Sequence, residues 1–344
     1  KVSHYISIVM LCAPFGQKGS HINELVVIEF KKKLNVIKGY KKQHIIPETY
    51  LKHFSDNEDG KNLYIINLRD KYQRKIYSKN KGDSCFWIEN YYDTIQLKNR
   101  KILEIAFNKI VENSYDKLIN EVKKENPIKE QWIKDDFLLF IFFSLFRSPG
   151  RRDEFEQKLR LKNWINETKG KSKKIEGNID KETFVKELHL NEMINDKKMY
   201  QNVDSICTYL GIKHWTIIIA PENSYWMTSD DPCVEIKFND DNTFTAGKRW
   251  DFEHLETMYI PLTKKYCLLI ESYEKGSNVK LNLNTDTIKF KKASKKDILL
   301  FNRFSYVTMS KLLIGSNEQT FTDLAYELEK VTTTNNKSYV KALE

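Results

Sequence analysis

The run HWTIIIAPENSYWMTSDDPCVEIKF, His214 to Phe238, is where the texture of the chain changes. Before it, from Gln96 onward, apolar residues recur at three and four positions, the spacing of helices with one buried face. From His214 the chain breaks into short β-branched and aromatic runs separated by turn residues: HWTIIIAP, SYWMTSDDP, CVEIKF, TFTAGKRW, TMYIPLT and YCLLIES. Such spacing predicts an antiparallel meander. Helices gathered before the strands, with no βαβ alternation, define an α+β fold. We expect a helical N-terminal and middle part packed on a mostly antiparallel β meander, with C-terminal helices.

Upstream, KKQHIIPETYLKHFSDNEDGK (Lys41–Lys61) places Pro47 at a helix start and Tyr50, Leu51 and Phe54 on one apolar face. NLYIINL and KIYSKN read as strands joined by RDKYQ, and SCFWIENYYD as an aromatic segment packing on that hairpin. Helices follow over Gln96–Lys124, Lys129–Arg147 and Arg151–Asn166. The loop ETKGKSKKIEGNIDK divides the chain near residues 166–181, and a helix from Lys181 to Leu210 breaks near Asn195. Ser294 and Asp297 form a capping box for a helix predicted through ILLFNRFSYVTMSKLLIG, and a last helix holds FTDLAYELEKV. Residues 1–40 read as an N-terminal extension, 41–315 as the α+β domain, and 316–344 as a C-terminal helix and tail.

The chain has 344 residues and 40% apolar content, ample for a core. Lysine and arginine exceed the acids by ten, which favours a polyanionic partner, nucleic acid first among them. Five widely spaced cysteines form no Cys-x-x-Cys pair and no zinc spacing. Cys207 and Cys267 lie in apolar runs as reduced core thiols would, so a cytoplasmic location is expected. FLLFIFFSLF (Phe137–Phe146) is intensely apolar but too short to cross a membrane. The phosphate-binding, dinucleotide, serine-hydrolase and zincin motifs are absent.

Four places carry polar groups where the pattern calls for apolar ones. His44 precedes a helix start, where the positive helix end would keep the imidazole neutral as a base or ligand, or seat a phosphate beside it; it also fits as a packed helix entry. Arg147 closes the most apolar helix, either satisfying carbonyls or clamping a phosphate or carboxylate. Ser229, Asp230 and Asp231 belong to TSDDP, which is ordinary turn chemistry and also a place for a divalent cation or a base. Asn302 and Lys311 read as helical neighbours that could reach a substrate, or as a solvated face.

QHIIPETYLKHFS, SLFRSPGRRDEF, HWTIIIAPENSYWMTSDDP, YIPLTKKYCLLI and FNRF…SKLLIG together resemble, in that order, the landmarks of the bacterial domain of unknown function 4238 family, over about residues 41–315. The family usually opens with paired histidines; here Gln43 replaces the first, and Asp231 replaces a usual asparagine. If the pair were a metal site, this chain would hold half of it. The resemblance implies an α+β cytoplasmic protein linked to phage defence, and a shared site of His44, Arg147, Ser229 and Asp230.

The leading expectation is a nuclease that cleaves phosphodiesters of RNA or DNA as a bacterial defence or toxin effector. His44, Asp230 and Arg147 would be catalytic and Ser229, Asn302 and Lys311 would bind substrate. Mg or Mn would sit at Asp230 and Asp231 if a metal is used. The alternatives are a non-catalytic module binding nucleic acid or a protein partner of a defence system, and a nucleotide-sensing accessory protein. No membrane contact is expected.

Overall fold

A computed structural model describes residues 41–68, 76–95, 102–108, 112–168, 180–238, 244–247, 255–272 and 287–333. The expected N-terminal extension, the RDKYQ turn, most of the charged loop near 166–181 and the end of the C-terminal tail lie outside them.

The chain enters through β1 (Lys42–His44) and α1 (Glu48–Leu51), which tightens into a 3-10 turn over Lys52–Phe54. Pro47 leads into α1, and Tyr50, Leu51 and Phe54 are buried, as their spacing requires. The strands β2 (Leu63–Asn67) and β3 (Ile76–Lys79) form the expected antiparallel hairpin. The following strand, β4 (Trp87–Glu89), does not join that hairpin; it pairs antiparallel with β1. The helices α2 (Ile102–Phe107), α3 (Asn113–Val122), α4 (Gln131–Arg147), α5 (Pro149–Thr168), α6 (Lys181–Ile194) and α7 (Asp196–Gly211) make up the helical part. Asn195 explains the break between the last two, because its side chain accepts the Lys198 N–H and caps α7.

The sheet part comprises β5 (His214–Ile219), β6 (Thr228–Ser229), β7 (Val234–Phe238), β8 (Phe244–Gly247), β9 (Thr257–Pro261), β10 (Tyr266–Glu271) and β11 (Lys289–Lys292). It is followed by α8 (Lys295–Thr308), β12 (Leu312–Gly315) and α9 (Glu318–Thr333). Six strands form one sheet in the order β11-β5-β10-β9-β7-β8, antiparallel except for β11 beside β5. The fold is α+β. A second sheet, β3-β2-β12-β6, gathers strands from three distant parts of the chain.

Two readings are corrected here. The SYWMTSDDP run does not stay in the meander, because Thr228 and Ser229 pair with Ile314 and Leu313 in the second sheet. The helix from Ser294 ends at Thr308, so Lys311 is not helical and LLIG is the buried strand β12. A four-residue apolar run has no period of its own, and here the open edges of β2 and β6 decide its conformation. Gly315 permits a close approach, since a Cβ there would lie 2.9 Å from the Phe321 ring.

The main core joins α1, the 3-10 turn, α3, α4 and α7 to the inner strands of the large sheet. Cys233 in this core and Cys267 in a second buried cluster are free thiols, whereas Cys207 is disulfide-bonded, which corrects its reading as a reduced thiol. No helix among the described residues is long and apolar enough to cross a membrane.

Two carboxylates sit inside the wall of α4. Burial pushes Asp135 and Asp136 each up to about 6. A carboxyl whose folded pKa exceeds its unfolded one favours folding as pH falls from neutrality toward 4, and opposes it above. Asp136→Asn is therefore expected to raise stability by about 1 kcal/mol at pH 7.5, roughly two pKa steps halved for residual solvent contact, and to give no gain at pH 4. Urea denaturation at the two pH values reads both outcomes.

Candidate functional site

In a β-ribbon, directly opposed residues share a face and neighbours along a strand point oppositely. Lys42 pairs with Glu89, Gln43 with Ile88 and His44 with Trp87. Lys42, His44, Trp87 and Glu89 thus form the outer face of the β1–β4 ribbon, and Gln43 with Ile88 the inner one. Gln43 is fully buried; its amide N–H donates to Asp93 and its oxygen accepts the Tyr92 backbone N–H. A histidine at position 43 would turn inward to the same two partners, away from His44. Positions 43 and 44 therefore face opposite sides of this ribbon. Gln43→His is accordingly expected to change the denaturation midpoint by less than about 1 kcal/mol, because imidazole can donate to Asp93 and accept from Tyr92 at once.

On the outer face, His44 Nε2 lies 3.0 Å from Glu48 Oε1, at ion-pair distance but off hydrogen-bond geometry. Lys81 Nζ stands 3.7 Å from the other Glu48 oxygen. Trp87 is half-buried opposite His44, and Lys42 Nζ sits 4.5 Å above its ring centre. The His44 pKa is lowered, first by burial, against the raising effect of Glu48 and with the help of Arg147. The expected helix-end effect is not its cause: α1 is a single turn of four residues, too short for a substantial dipole.

Arg147 explains why two landmarks a hundred residues apart belong together. Its Nε donates to the His44 carbonyl at 3.0 Å and to Tyr92 Oη at 3.2 Å, and its Nη2 donates to the same carbonyl. Nη1 donates to Glu112 Oε1 at 3.1 Å, and the guanidinium lies against the Phe107 ring. Tyr92, kept neutral by burial, donates its own hydroxyl to the Arg147 carbonyl. With 2% exposure, Arg147 turns its donors to the protein, not to an open cleft. It fixes the backbone at His44 and holds a positive charge behind the imidazole.

Pro47, Tyr50, Phe140, Arg147, Asp230 and Pro232 line one small cleft, so the chain does bring three of the landmark segments together. Its volume of about 20 Å³ holds roughly one water. A nucleotide does not fit there.

The TSDDP turn works as a clasp. Ser229 Oγ donates to the Asp231 carbonyl and accepts the Asp231 N–H, a local turn. Asp230 Oδ1 accepts the Ser310 N–H at 3.0 Å, and Asp231 Oδ2 accepts the Ser310 hydroxyl at 2.8 Å. Both aspartates thereby secure the exit from α8 into β12. Among the described residues no group of three or more His, Cys, Asp or Glu is placed to hold a metal ion. Asn302 is buried with both ends engaged: Oδ1 accepts the Met227 N–H, and Nδ2 donates to the Tyr225 carbonyl. Lys311 lies in the bend before β12, its carbonyl accepting the Leu68 N–H.

Glu48, Lys81 and Trp87 were not anticipated from the sequence. Only Glu48 left a signal, four residues after His44 at the start of the helix that Pro47 introduces.

The protein is thus an α+β protein that brings a histidine, a carboxylate and a lysine together beside the face of a small ribbon. The family described as Protein of unknown function (DUF4238) matches residues 42–319, and the chain belongs to it. No curated protein and no solved structure matches the chain.

Proposed function

We propose that the outer face of the β1–β4 ribbon cleaves RNA by acid–base chemistry, as an effector of a bacterial defence or toxin system. The observation that carries this reading is a neutral histidine beside a carboxylate and a lysine, on a face that also presents a tryptophan. Through Nδ1, since Nε2 is buried beside Glu48, His44 takes the proton of a ribose 2′-hydroxyl, whose oxygen attacks the adjacent phosphorus. The bond to the 5′ oxygen breaks, that oxygen takes a proton from solvent, and a 2′,3′-cyclic phosphate remains. Glu48 steadies the imidazolium that forms. Lys81 and Lys42 meet the phosphate charge, and Trp87 offers a stacking surface for a base. RNA suits this set because its 2′-hydroxyl supplies the nucleophile.

The test uses an end-labelled all-ribose oligonucleotide and its all-deoxy counterpart, each with Mg²⁺ and with EDTA. Cleavage of the ribose strand alone, with cyclic phosphate ends and in EDTA, is expected. No cleavage, or equal cleavage of the deoxy strand, overturns the reading.

A further inference from the structure

A larger cavity lies between α8, the start of α9 and the turn that precedes β6. It measures about 290 Å³, close to the lower end of the 300–1,000 Å³ that small-molecule sites occupy. The turn at Asn223–Tyr225, the first turns of α8 and the first turns of α9 enclose it. Asn302 backs the wall, and its amide bonds to Tyr225 and Met227 fix the turn in place. Ile298 and Leu299 give it an apolar side.

The polar lining is of two kinds. Gln319 Nε2 donates to Asp323 Oδ1 at 2.6 Å. That bond uses one oxygen of the carboxylate and the donor end of the amide, so Asp323 Oδ2 and Gln319 Oε1 remain as acceptors on two exposed side chains that line the cavity. Lys295 contributes a cation that makes no ion pair among the described residues. It also continues an exposed run of Lys289, Lys291, Lys292 and Lys296 on the open edge of β11 and the start of α8. Many other lysines are matched: Lys52 with Asp116, Lys123 with Glu58, Lys181 with Glu156, Lys265 with Glu125. Lysines on an edge strand also guard it against pairing. Five within eight residues, with two in the first turn of a helix where cations are disfavoured, make an anion-seeking rim.

From this lining we infer that the cavity binds a guanine nucleotide. A ligand suited to it needs an edge of N–H donors for the Asp323 and Gln319 oxygens, flat apolar faces for Ile298 and Leu299, and an anionic group for Lys295. The ring N–H and amino group of guanine are adjacent donors that can meet Asp323 Oδ2 and Gln319 Oε1, and adenine lacks that pair. This second site does not depend on cleavage at His44.

Isothermal titration of the full chain with GMP, AMP and inorganic phosphate tests it. GMP is expected to bind at least tenfold more tightly than AMP or phosphate. Lys295→Glu, a change of an exposed side chain, weakens GMP at least tenfold while leaving the rate of RNA cleavage unchanged, and Ser224→Trp, which fills the cavity, abolishes binding. No heat with GMP, equal affinity for AMP or for phosphate, or an unaltered Lys295→Glu variant overturns the proposal. A silent cleavage assay leaves this measurement intact, and absent GMP binding leaves the cleavage reading intact.

Discussion

Arg147→Ala is expected to destabilise the protein by about 3–5 kcal/mol, the largest loss of any single substitution considered, measured by urea denaturation followed by circular dichroism. The magnitude follows from what is left behind. Glu112 loses the cation 3.1 Å away while only 11% exposed, and the His44 carbonyl and the Tyr92 hydroxyl each lose a donor. Arg147→Lys recovers little, because one ammonium cannot reach the carbonyl, the phenol and the carboxylate that a planar fork spans. A double change, Arg147→Met with Glu112→Gln, removes the charge imbalance and is expected to restore a good part of the loss. If Arg147→Ala stays within about 1 kcal/mol of the wild type, the hub does not hold β1 to α4. A phosphate clamp facing an open cleft would have given that small effect.

Arg147 also shows which parts of the molecule a sequence can disclose. Its place at the end of an apolar helix marked it as a charge in need of partners, but its chief acceptor is a backbone carbonyl, which no side-chain pattern records. The Tyr50–Leu51–Phe54 stripe and the Asn195 cap were legible because their causes are local, a helical period and a side chain bonding three residues ahead. LLIG was misread because its conformation is decided by β2, some 250 residues earlier in the chain, and by β6. Ser310, the partner of both TSDDP aspartates, was out of sequence reach for the same reason: it is brought to them by the pairing of β12 with β6. Lys81 and Trp87 reach His44 only through ribbon pairing and the turn before it, so nothing in their own neighbourhoods announces them.

His44→Ala is expected to lower RNA cleavage by 10²–10⁴-fold with little change in the denaturation midpoint, since the side chain is partly exposed and its buried Nε2 has no hydrogen bond to lose. Loss of rate alone would not separate a base from a residue that shapes the ribbon; the pH profile does. The acid limb of kcat/KM reports a base that must be neutral, so it lies below the ordinary histidine value of about 6.5. Glu48 raises the His44 pKa and Lys81 lowers it. Glu48→Gln must therefore move the limb to lower pH, and Lys81→Met must move it to higher pH. Opposite displacements from two half-exposed neighbours are what titration of His44 demands. A limb that stays in place in both variants, or moves the same way in both, means that His44 does not titrate in the rate-determining step, and the proton is taken by another group.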